Sequence, residues 1–170
     1  MYSYDTLIFD VDGTLIDSGS GILKAVKDTI DILGYEELSD EFISSCIGPP
    51  IADSIGEKVG YTPQQIKDFY GVFRPIYKDK YLYDCTIYPG IKELLSDLHS
   101  AGIGLGIATN KREDYAHILL DDIGLSVYFD DIQAMDMAGT TNKEGMIRKC
   151  MANIANGGDK VAMVGDSSND

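Results

Sequence analysis

Two aspartates near the start of the chain, Asp10 and Asp12, follow a short apolar run and are separated only by Val11. Because side chains alternate along an extended strand, both carboxylates are expected on the same face at the strand end. Two ionised carboxylates this close repel each other, so the pair is predicted to be exposed, to share a proton or to bind a cation. The pair therefore predicts a chemical site, although a lone Asp12-Gly13 dipeptide is more often only a turn.

Other polar side chains follow three later apolar segments, at the points where these segments end. They are Thr109-Asn110, the Met135-Asp136 region before Lys143, and the run from Asp166 to Asp170. Because ligands of open parallel sheets bind beyond the carboxyl ends of the strands, these groups are expected to converge on Asp10. Packing alone does not readily explain polar groups at four such ends, so the pattern indicates an enzyme.

Composition and charge restrict the classes of protein that such a site can belong to. A length of 170 residues, with 44% hydrophobic and 25% charged residues, is typical of one soluble domain or of a core with a smaller insert. The net charge of -14 argues against nucleic acid as a partner, because phosphate backbones are bound by clustered Lys and Arg. Apolar runs are too short for a membrane span and no signal peptide is evident, so a cytoplasmic protein is expected.

The metal-ligating residues favour a hard cation bound by oxygen atoms. Cys46, Cys85 and Cys150 lie far apart, form no Cys-x-x-Cys pair and are predicted to be reduced, buried and inert. Only His99 and His117 supply imidazole, in different predicted helices, so a zinc site is not expected. A chain this acidic also repels small anions, and an enzyme acting on them would need a divalent cation and a few positive side chains at its site.

The order of the predicted elements divides the chain into two parts. Residues 17–85 are predicted to be all helical, with a capping box and an N1 proline at Thr62-Pro63-Gln64-Gln65 as a specific start signal. From Pro89 onward, helices alternate with apolar strands, which predicts a parallel sheet with helices on both faces. Residues 1–16 and 86–170 are therefore predicted to form an α/β core, with the helical segment inserted after strand 1.

These residues resemble, in order, the four motifs of the haloacid dehalogenase superfamily of phosphotransferases. The motifs are Phe9-Asp10-Val11-Asp12-Gly13-Thr14-Leu15, the strand ending in Thr109-Asn110, Lys143, and Gly165-Asp166 through Asp170. The helical insert resembles the helical cap of that superfamily, and Ile47-Gly48-Pro49-Pro50 resembles the cap loop of its phosphoglycolate-phosphatase-like members. The resemblance implies a Rossmann-like catalytic core with a cap domain.

The resemblance also implies a role for each matching residue of the core. Asp10 would be the nucleophile that forms an aspartyl-phosphate, and Asp12 would be the general acid and base. Thr109 and Asn110 would bind the phosphoryl oxygens, and Lys143 would neutralise negative charge in the transition state. Phosphatases and phosphomutases of the superfamily keep an acid at the position of Asp12 and its dehalogenases lack one, so phosphoryl chemistry is expected.

The resemblance further implies a magnesium ion. It would be held by the carboxylate of Asp10, the backbone carbonyl of Asp12 and the carboxylate of Asp166, with Asp170 as a further ligand. Oxygen atoms completed by waters suit this ion.

A cap of this kind would close over the core, exclude water and select the leaving group. Gly48 and Arg74 are the cap residues expected to contact the substrate, although Arg74 fits a solvated helix face as well. Hinges are expected at residues 18–21 and 84–88.

The function expected from the resemblance is magnesium-dependent hydrolysis of a phosphomonoester, in the class EC 3.1.3. A small cytoplasmic metabolite, phosphoglycolate-like or nucleotide-like, is the expected substrate, and the protein is expected to be a monomer or a homodimer. Three alternatives stay open: a phosphomutase of the β-phosphoglucomutase type, a catalytically inactive binding module, and a receiver-like phospho-aspartate switch, for which the helical insert has no evident use.

The chain ends at Asp170, within the fourth motif, where members of the superfamily continue with further helices and a strand. The strand that begins at Val161 is therefore expected at an edge of the sheet, with unpaired backbone groups. A longer version of the chain is expected to be more active and more stable.

Overall fold

The computed structural model describes residues 4–154 and 160–167. The chain divides into two compact units. The core unit comprises Met1–Asp17 and Ile87–Asp170, and the helical unit comprises Ser18–Thr86. The helical insert predicted at residues 17–85 corresponds to the second unit.

The helices and strands follow one another along the chain as predicted in outline. They are β1 (Thr6–Phe9), β2 (Ile16–Asp17), α1 (Gly19–Leu33), α2 (Asp40–Ser44), α3 (Ile51–Val59), α4 (Pro63–Ile76), a π-helical turn (Tyr77–Tyr81), β3 (Thr86–Ile87), α5 (Ile91–Ser100), β4 (Gly104–Arg112), α6 (Glu113–Asp122), a 3-10 turn (Ser126–Tyr128), β5 (Asp131–Met135), α7 (Lys143–Asn153) and β6 (Val161–Val164). No helix within the described ranges is long and apolar enough to cross a membrane.

The core unit is built on a four-stranded parallel sheet in the order β5-β4-β1-β6. The strand β1 lies inside the sheet, where Phe9 is in register with Ile107 of β4 and with Val164 of β6. Among the described strands, β5 and β6 form the two edges. Since all four strands run in the same direction, their carboxyl ends meet at one edge of the sheet. The two short strands β2 and β3, which the sequence analysis did not predict, pair with each other.

Helix α7 packs closely onto the middle of the sheet. The apolar cluster beneath it consists of Ile8, Ala108, Met146, Cys150 and Ile154. A Cβ atom on Gly106 of β4 would lie 2.8 Å from Cδ1 of Ile154 and 3.1 Å from Sγ of Cys150. The absence of a side chain at Gly106 therefore lets the helix approach the strand.

The cysteines are close to the prediction. The thiol of Cys150 donates a hydrogen bond to the carbonyl of Ile107 at 3.0 Å, and burial raises the pKa of this thiol to about 12. Cys46 is also buried. Cys85 is only half-buried, contrary to the prediction, because it lies in the irregular segment between the π-helical turn and β3.

The segment 127–134 belongs to the region after Pro89 where apolar strands are predicted, but only its second part is a strand in the structure. Val127 belongs to the 3-10 turn, its side chain is 73% exposed, and β5 begins only at Asp131. The preceding Asp130 anchors the start of the strand, because its backbone N–H donates to the carbonyl of Leu105 and its carboxylate accepts from the N–H of Leu105. The apolar residues before Asp130 resembled strand residues but pack in a turn.

The long helices α1 and α4 each bury one face inside the helical unit. Thr62 forms the predicted capping box with Gln65, and α4 then presents Phe69 and Phe73 inward at helical spacing, followed by Tyr77. These three rings stack in sequence, with centroids 5.8 Å and 5.6 Å apart.

The regular part of α4 ends at Ile76, directly after Pro75. Proline lacks the N–H donor and its ring clashes with the preceding turn. The π-helical turn follows immediately.

Gly21 of α1 provides a test of how the helical unit packs. A Cβ atom at this position would lie 2.5 Å from the carbonyl oxygen of Tyr81 and 2.9 Å from that of Asp84, and backbone atoms cannot move aside as a flexible side chain can. We expect Gly21→Ala to lower the free energy of unfolding by about 1–3 kcal/mol in urea titrations.

Gly71→Ala is the matched control for this measurement. Gly71 also lies in a helix, but an added Cβ would meet no atom within 4 Å. Alanine has the higher helix propensity, so this substitution is expected to stabilise the protein by about 1 kcal/mol. Equal effects of the two substitutions would contradict the close contact at Gly21.

Candidate active site

Asp10 is fixed at the carboxyl end of β1. Its backbone N–H donates to the carbonyl of Val164 at 2.9 Å, which ties it to β6, and the residue is only 5% exposed. The chain then turns sharply, because the carbonyl of Val11 accepts hydrogen bonds from the N–H groups of Leu15 and Ile16. Asp12 lies within this turn, one residue before Gly13. Strand and turn together keep the two aspartates close to each other.

Lys143 pairs with Asp10. Its Nζ lies 2.9 Å from Oδ1 of Asp10, and the two side chains are 10% and 7% exposed. Lys143 is the first residue of α7, whose N-cap Asn142 accepts a hydrogen bond from the N–H of Gly145 at 2.8 Å. The start of α7 therefore places Lys143, of the third motif, against Asp10, of the first.

The charge state of Asp10 reflects opposing effects. Burial, the largest effect, raises the pKa of Asp10 because it removes water from the charged form. The attraction and hydrogen bond of Lys143 lower it, and the nearby negative charge of Asp12 raises it again. The net pKa lies above the ordinary value of 3.8. This carboxylate thus depends on positive charge around it.

Thr109 and Asn110 lie within β4, which is longer than the apolar run predicts. The strand does not end at Ala108, as the apolar run suggested, but continues to Arg112 with a shift in its pairing to β5 after Thr109. Thr109 is buried, and its Oγ1 accepts a hydrogen bond from the N–H of Lys111 at 3.2 Å. Because β4 is adjacent to β1, these residues lie at the same edge of the sheet as Asp10.

Lys111 is a candidate site residue that the sequence analysis missed. Its Nζ lies 3.0 Å from Oδ1 of Asp12, and its side chain is only 2% exposed. A regular strand would place Lys111 on the same face as Thr109, but the shift in pairing after Thr109 interrupts this alternation. The apolar run also ends at Ala108, so the sequence does not indicate that the strand extends to Lys111. The pair of aspartates is therefore matched by a pair of lysines.

Asp166 lies against the turn that carries the first motif. It comes two residues after β6, which is adjacent to β1. Gly13 has a φ of 83°, and a Cβ built on it would lie 2.2 Å from Oδ2 of Asp166. A side chain at Gly13 would thus occupy the place of this carboxylate, so the structure brings Asp166 to the Asp10–Asp12 turn.

Carboxylate and carbonyl oxygens at this edge are the kind of ligand that a hard cation such as magnesium prefers. In residues 4–154 and 160–167, no three His, Cys, Asp or Glu side chains form a group that could hold a metal ion. The expected ligands include the side chains of Asp10 and Asp166 and the backbone carbonyl of Asp12. Asp170, the remaining one, lies outside the described residues. The space that Gly13 leaves for Asp166 supports the fit, and the metal stays a prediction.

The two cap residues belong to the helical unit. Gly48 has a φ of 114°, which favours glycine in the loop before α3. The guanidinium of Arg74 lies 4.3 Å from the centroid of the Tyr70 ring, and the hydroxyl of Tyr70 donates a hydrogen bond to Asp53 at 2.5 Å. Arg74 thus has contacts within its own unit, and substrate binding by Gly48 and Arg74 stays a prediction.

The loop before Lys143 is organised by Asp136. Its carboxylate accepts hydrogen bonds from the backbone N–H of Thr140 at 2.7 Å and from the hydroxyls of Thr140 and Thr141 at 2.5 Å and 2.8 Å. These bonds hold the pKa of Asp136 well below its ordinary value of 3.8. The loop leads directly to the N-cap of α7 and so contributes to the position of Lys143.

The fold and the site define a class of protein. Buried charged side chains that gather at the carboxyl edge of a parallel α/β sheet indicate an enzyme. The family model described as haloacid dehalogenase-like hydrolase matches residues 7–170, and the chain belongs to this family. The predicted family, α/β class and phosphatase type of enzyme are confirmed.

Relatives and solved structures agree with this assignment. The chain is 32% identical to phosphoglycolate phosphatase from Aquifex aeolicus, over 96% of this chain and 76% of the relative. It is 28% identical to a 5'-nucleotidase from Pseudomonas aeruginosa, over 98% of this chain and 76% of the relative. A crystal structure of a predicted phosphatase from Clostridium acetobutylicum matches with a TM-score of 0.90 and 30% identity, over 98% of this chain and 78% of that one.

Because the pKa of Asp136 is lowered, its contribution to the free energy of unfolding is expected to depend on pH. The unfolded chain protonates this carboxyl near its ordinary pKa of 3.8, whereas the folded protein keeps it ionised to lower pH. Asp136 therefore contributes its full stability above that pH, and the contribution is lost as the pH falls toward the folded pKa. We expect Asp136→Asn to be less stable than the wild type near neutral pH, and the difference to shrink in acid.

Urea titrations of both proteins at about pH 7 and about pH 3 measure this difference. Thr140→Val keeps the carboxylate but removes one hydroxyl donor, so it is expected to show a smaller loss with the same pH trend. A difference that stays constant across this range would contradict the role given to Asp136.

Proposed function

We propose that this chain is a magnesium-dependent phosphomonoester hydrolase that acts on a small cytoplasmic metabolite through an aspartyl-phosphate on Asp10. The observation that carries the proposal is the buried Asp10 carboxylate in contact with Lys143, beside Asp12, in a chain of this family. A carboxylate removed from water and held by an ammonium is a suitable nucleophile toward phosphorus.

Asp10 and Asp12 share the bond changes of the reaction. An Oδ atom of Asp10 bonds to phosphorus as the ester P–O bond breaks, and the leaving oxygen takes the proton of the Asp12 carboxyl. The Asp12 carboxylate then removes a proton from a water molecule, whose oxygen attacks the phosphorus of the aspartyl-phosphate. The P–O bond to Asp10 breaks, inorganic phosphate leaves, and both side chains return to their starting states.

The surrounding side chains stabilise negative charge during both steps. The Lys143 ammonium, 2.9 Å from Oδ1 of Asp10, lies where charge develops between nucleophile and phosphoryl group. The Thr109 hydroxyl and the Asn110 amide, at the same sheet edge, would donate hydrogen bonds to the phosphoryl oxygens. Bound magnesium would supply further positive charge, with Asp10, Asp166, Asp170 and the carbonyl of Asp12 as its ligands.

Two relatives suggest the class of substrate. One is named a phosphoglycolate phosphatase and the other a 5'-nucleotidase. We therefore propose a small phosphorylated carboxylic acid or a nucleoside 5'-monophosphate, with Gly48 and Arg74 as candidate contacts. Phosphate release from phosphoglycolate and from nucleoside monophosphates, compared with other phosphorylated metabolites, tests this part of the proposal.

Substitution of Asp10 tests the nucleophile. With para-nitrophenyl phosphate and magnesium, we expect Asp10→Asn to lower kcat by about 10³-fold or more, because the amide cannot form the phosphoryl-enzyme. Asp122→Asn, an exposed carboxylate of α6, serves as the control and is expected to keep wild-type activity. More than a tenth of the wild-type rate in Asp10→Asn would overturn the covalent mechanism.

Removal of divalent cations tests the metal separately. Protein treated with EDTA is expected to lose activity and to regain it when magnesium is added back. Full activity after EDTA treatment would refute the requirement for magnesium and would leave the role of Asp10 standing.

A further inference from the structure

Lys111 is a buried lysine to which the mechanism above gives no task. Its side chain is 2% exposed, its Nζ lies 3.0 Å from Oδ1 of Asp12, and the ring centroid of Tyr115 lies 5.9 Å from the same Nζ. A buried ammonium is costly unless it is paired, and a buried ion pair is seldom justified by stability alone. The pair with Asp12 therefore calls for a functional explanation.

Two alternatives are disfavoured by the geometry. The Nζ of Lys111 lies 3.0 Å from Oδ1 of Asp12, so direct contact with a substrate would require it to leave this carboxylate. Asp10 already has Lys143 at 2.9 Å, whereas Lys111 lies 3.0 Å from Asp12. The effect of Lys111 on the reaction is therefore expected to pass through Asp12.

We propose that Lys111 is a positioning residue that orients the Asp12 carboxyl group for proton transfer to the leaving group; the inference rests on the proposed phosphatase function. The ammonium lies 3.0 Å from Oδ1 of Asp12, and we therefore assign the proton transfer to Oδ2. During the first step the Oδ2–H bond breaks and the leaving oxygen gains that proton, while Lys111 keeps all of its own protons.

The backbone holds Lys111 in this orientation. Its N–H donates to Oγ1 of Thr109 at 3.2 Å, and β4 continues to Arg112, which pairs with Met135 of β5. Arg112 is held in turn by the carboxylate of Asp114, with contacts of 2.6 Å and 2.8 Å. A lysine on a strand with these anchors can fix a carboxylate more precisely than one on a mobile loop.

The dependence of kcat/KM on the leaving group distinguishes a positioning role of Lys111 from a general loss of structure. An alkyl phosphate needs a proton on its leaving oxygen, whereas 2,4-dinitrophenyl phosphate has a leaving group that departs without one. We expect Lys111→Met to lower kcat/KM for glycerol phosphate by about 10²-fold and that for 2,4-dinitrophenyl phosphate by less than about threefold. Asp12→Asn is expected to show the same selectivity.

Three further variants complete the test. Lys149→Met removes an exposed lysine of α7 and is the control for the loss of one positive charge. Lys111→Gln keeps a hydrogen-bond donor and serves if Lys111→Met does not fold. In the Asp12→Asn background, Lys111→Met is expected to cause no further loss toward glycerol phosphate, because the two residues act as a unit.

The possible outcomes distinguish this inference from the proposed function. An equal loss of kcat/KM for both esters, or an additive loss in the double variant, would overturn the positioning role while leaving the phosphatase function intact. A wild-type protein that hydrolyses neither ester would overturn the proposed function, and the positioning role with it.

Discussion

The burial of Asp10 at the carboxyl end of β1 is the constraint on which the rest of the site depends. A carboxylate that is removed from water needs positive charge or hydrogen bonds, and here burial dominates the effects on its pKa. Lys143 supplies the nearest positive charge, at 2.9 Å. The same requirement recurs beside it, where Lys111 lies 3.0 Å from Asp12. The site is therefore built from matched charges rather than from isolated reactive groups.

The parallel sheet brings these charges together with little additional structure. Because β4 and β6 flank β1, residues near the carboxyl ends of the three strands meet at one edge, although Asp10, Thr109 and Asp166 lie far apart in the sequence. The other lysine, Lys143, is not on a strand but is the first residue of α7. The loop before that helix is stabilised by Asp136 with Thr140 and Thr141, so a hydrogen-bonded loop outside the charge pairs contributes to the position of Lys143.

Some features of the structure follow from local sequence rules. The Asp10–Asp12 pair, the capping box at Thr62 and the end of regular helix after Pro75 each depend on residues close together in the chain, so their types and spacing were sufficient. The alternation of helix and strand after Pro89 likewise predicted the parallel sheet. At Val127 the same rules predict a strand. In the structure this residue lies in a turn, and the strand begins only at Asp131.

The sequence by itself determined the kinds of chemical group at the site and the α/β class of the fold. Only the tertiary structure decided that β4 extends past Thr109 and that Lys111 therefore faces Asp12 inside the protein. The position of Asp166 against Gly13 was decided in the same way. The physical reason is that burial and ion pairing between distant segments depend on which strands are neighbours and in which register. A local pattern of residues does not contain that information.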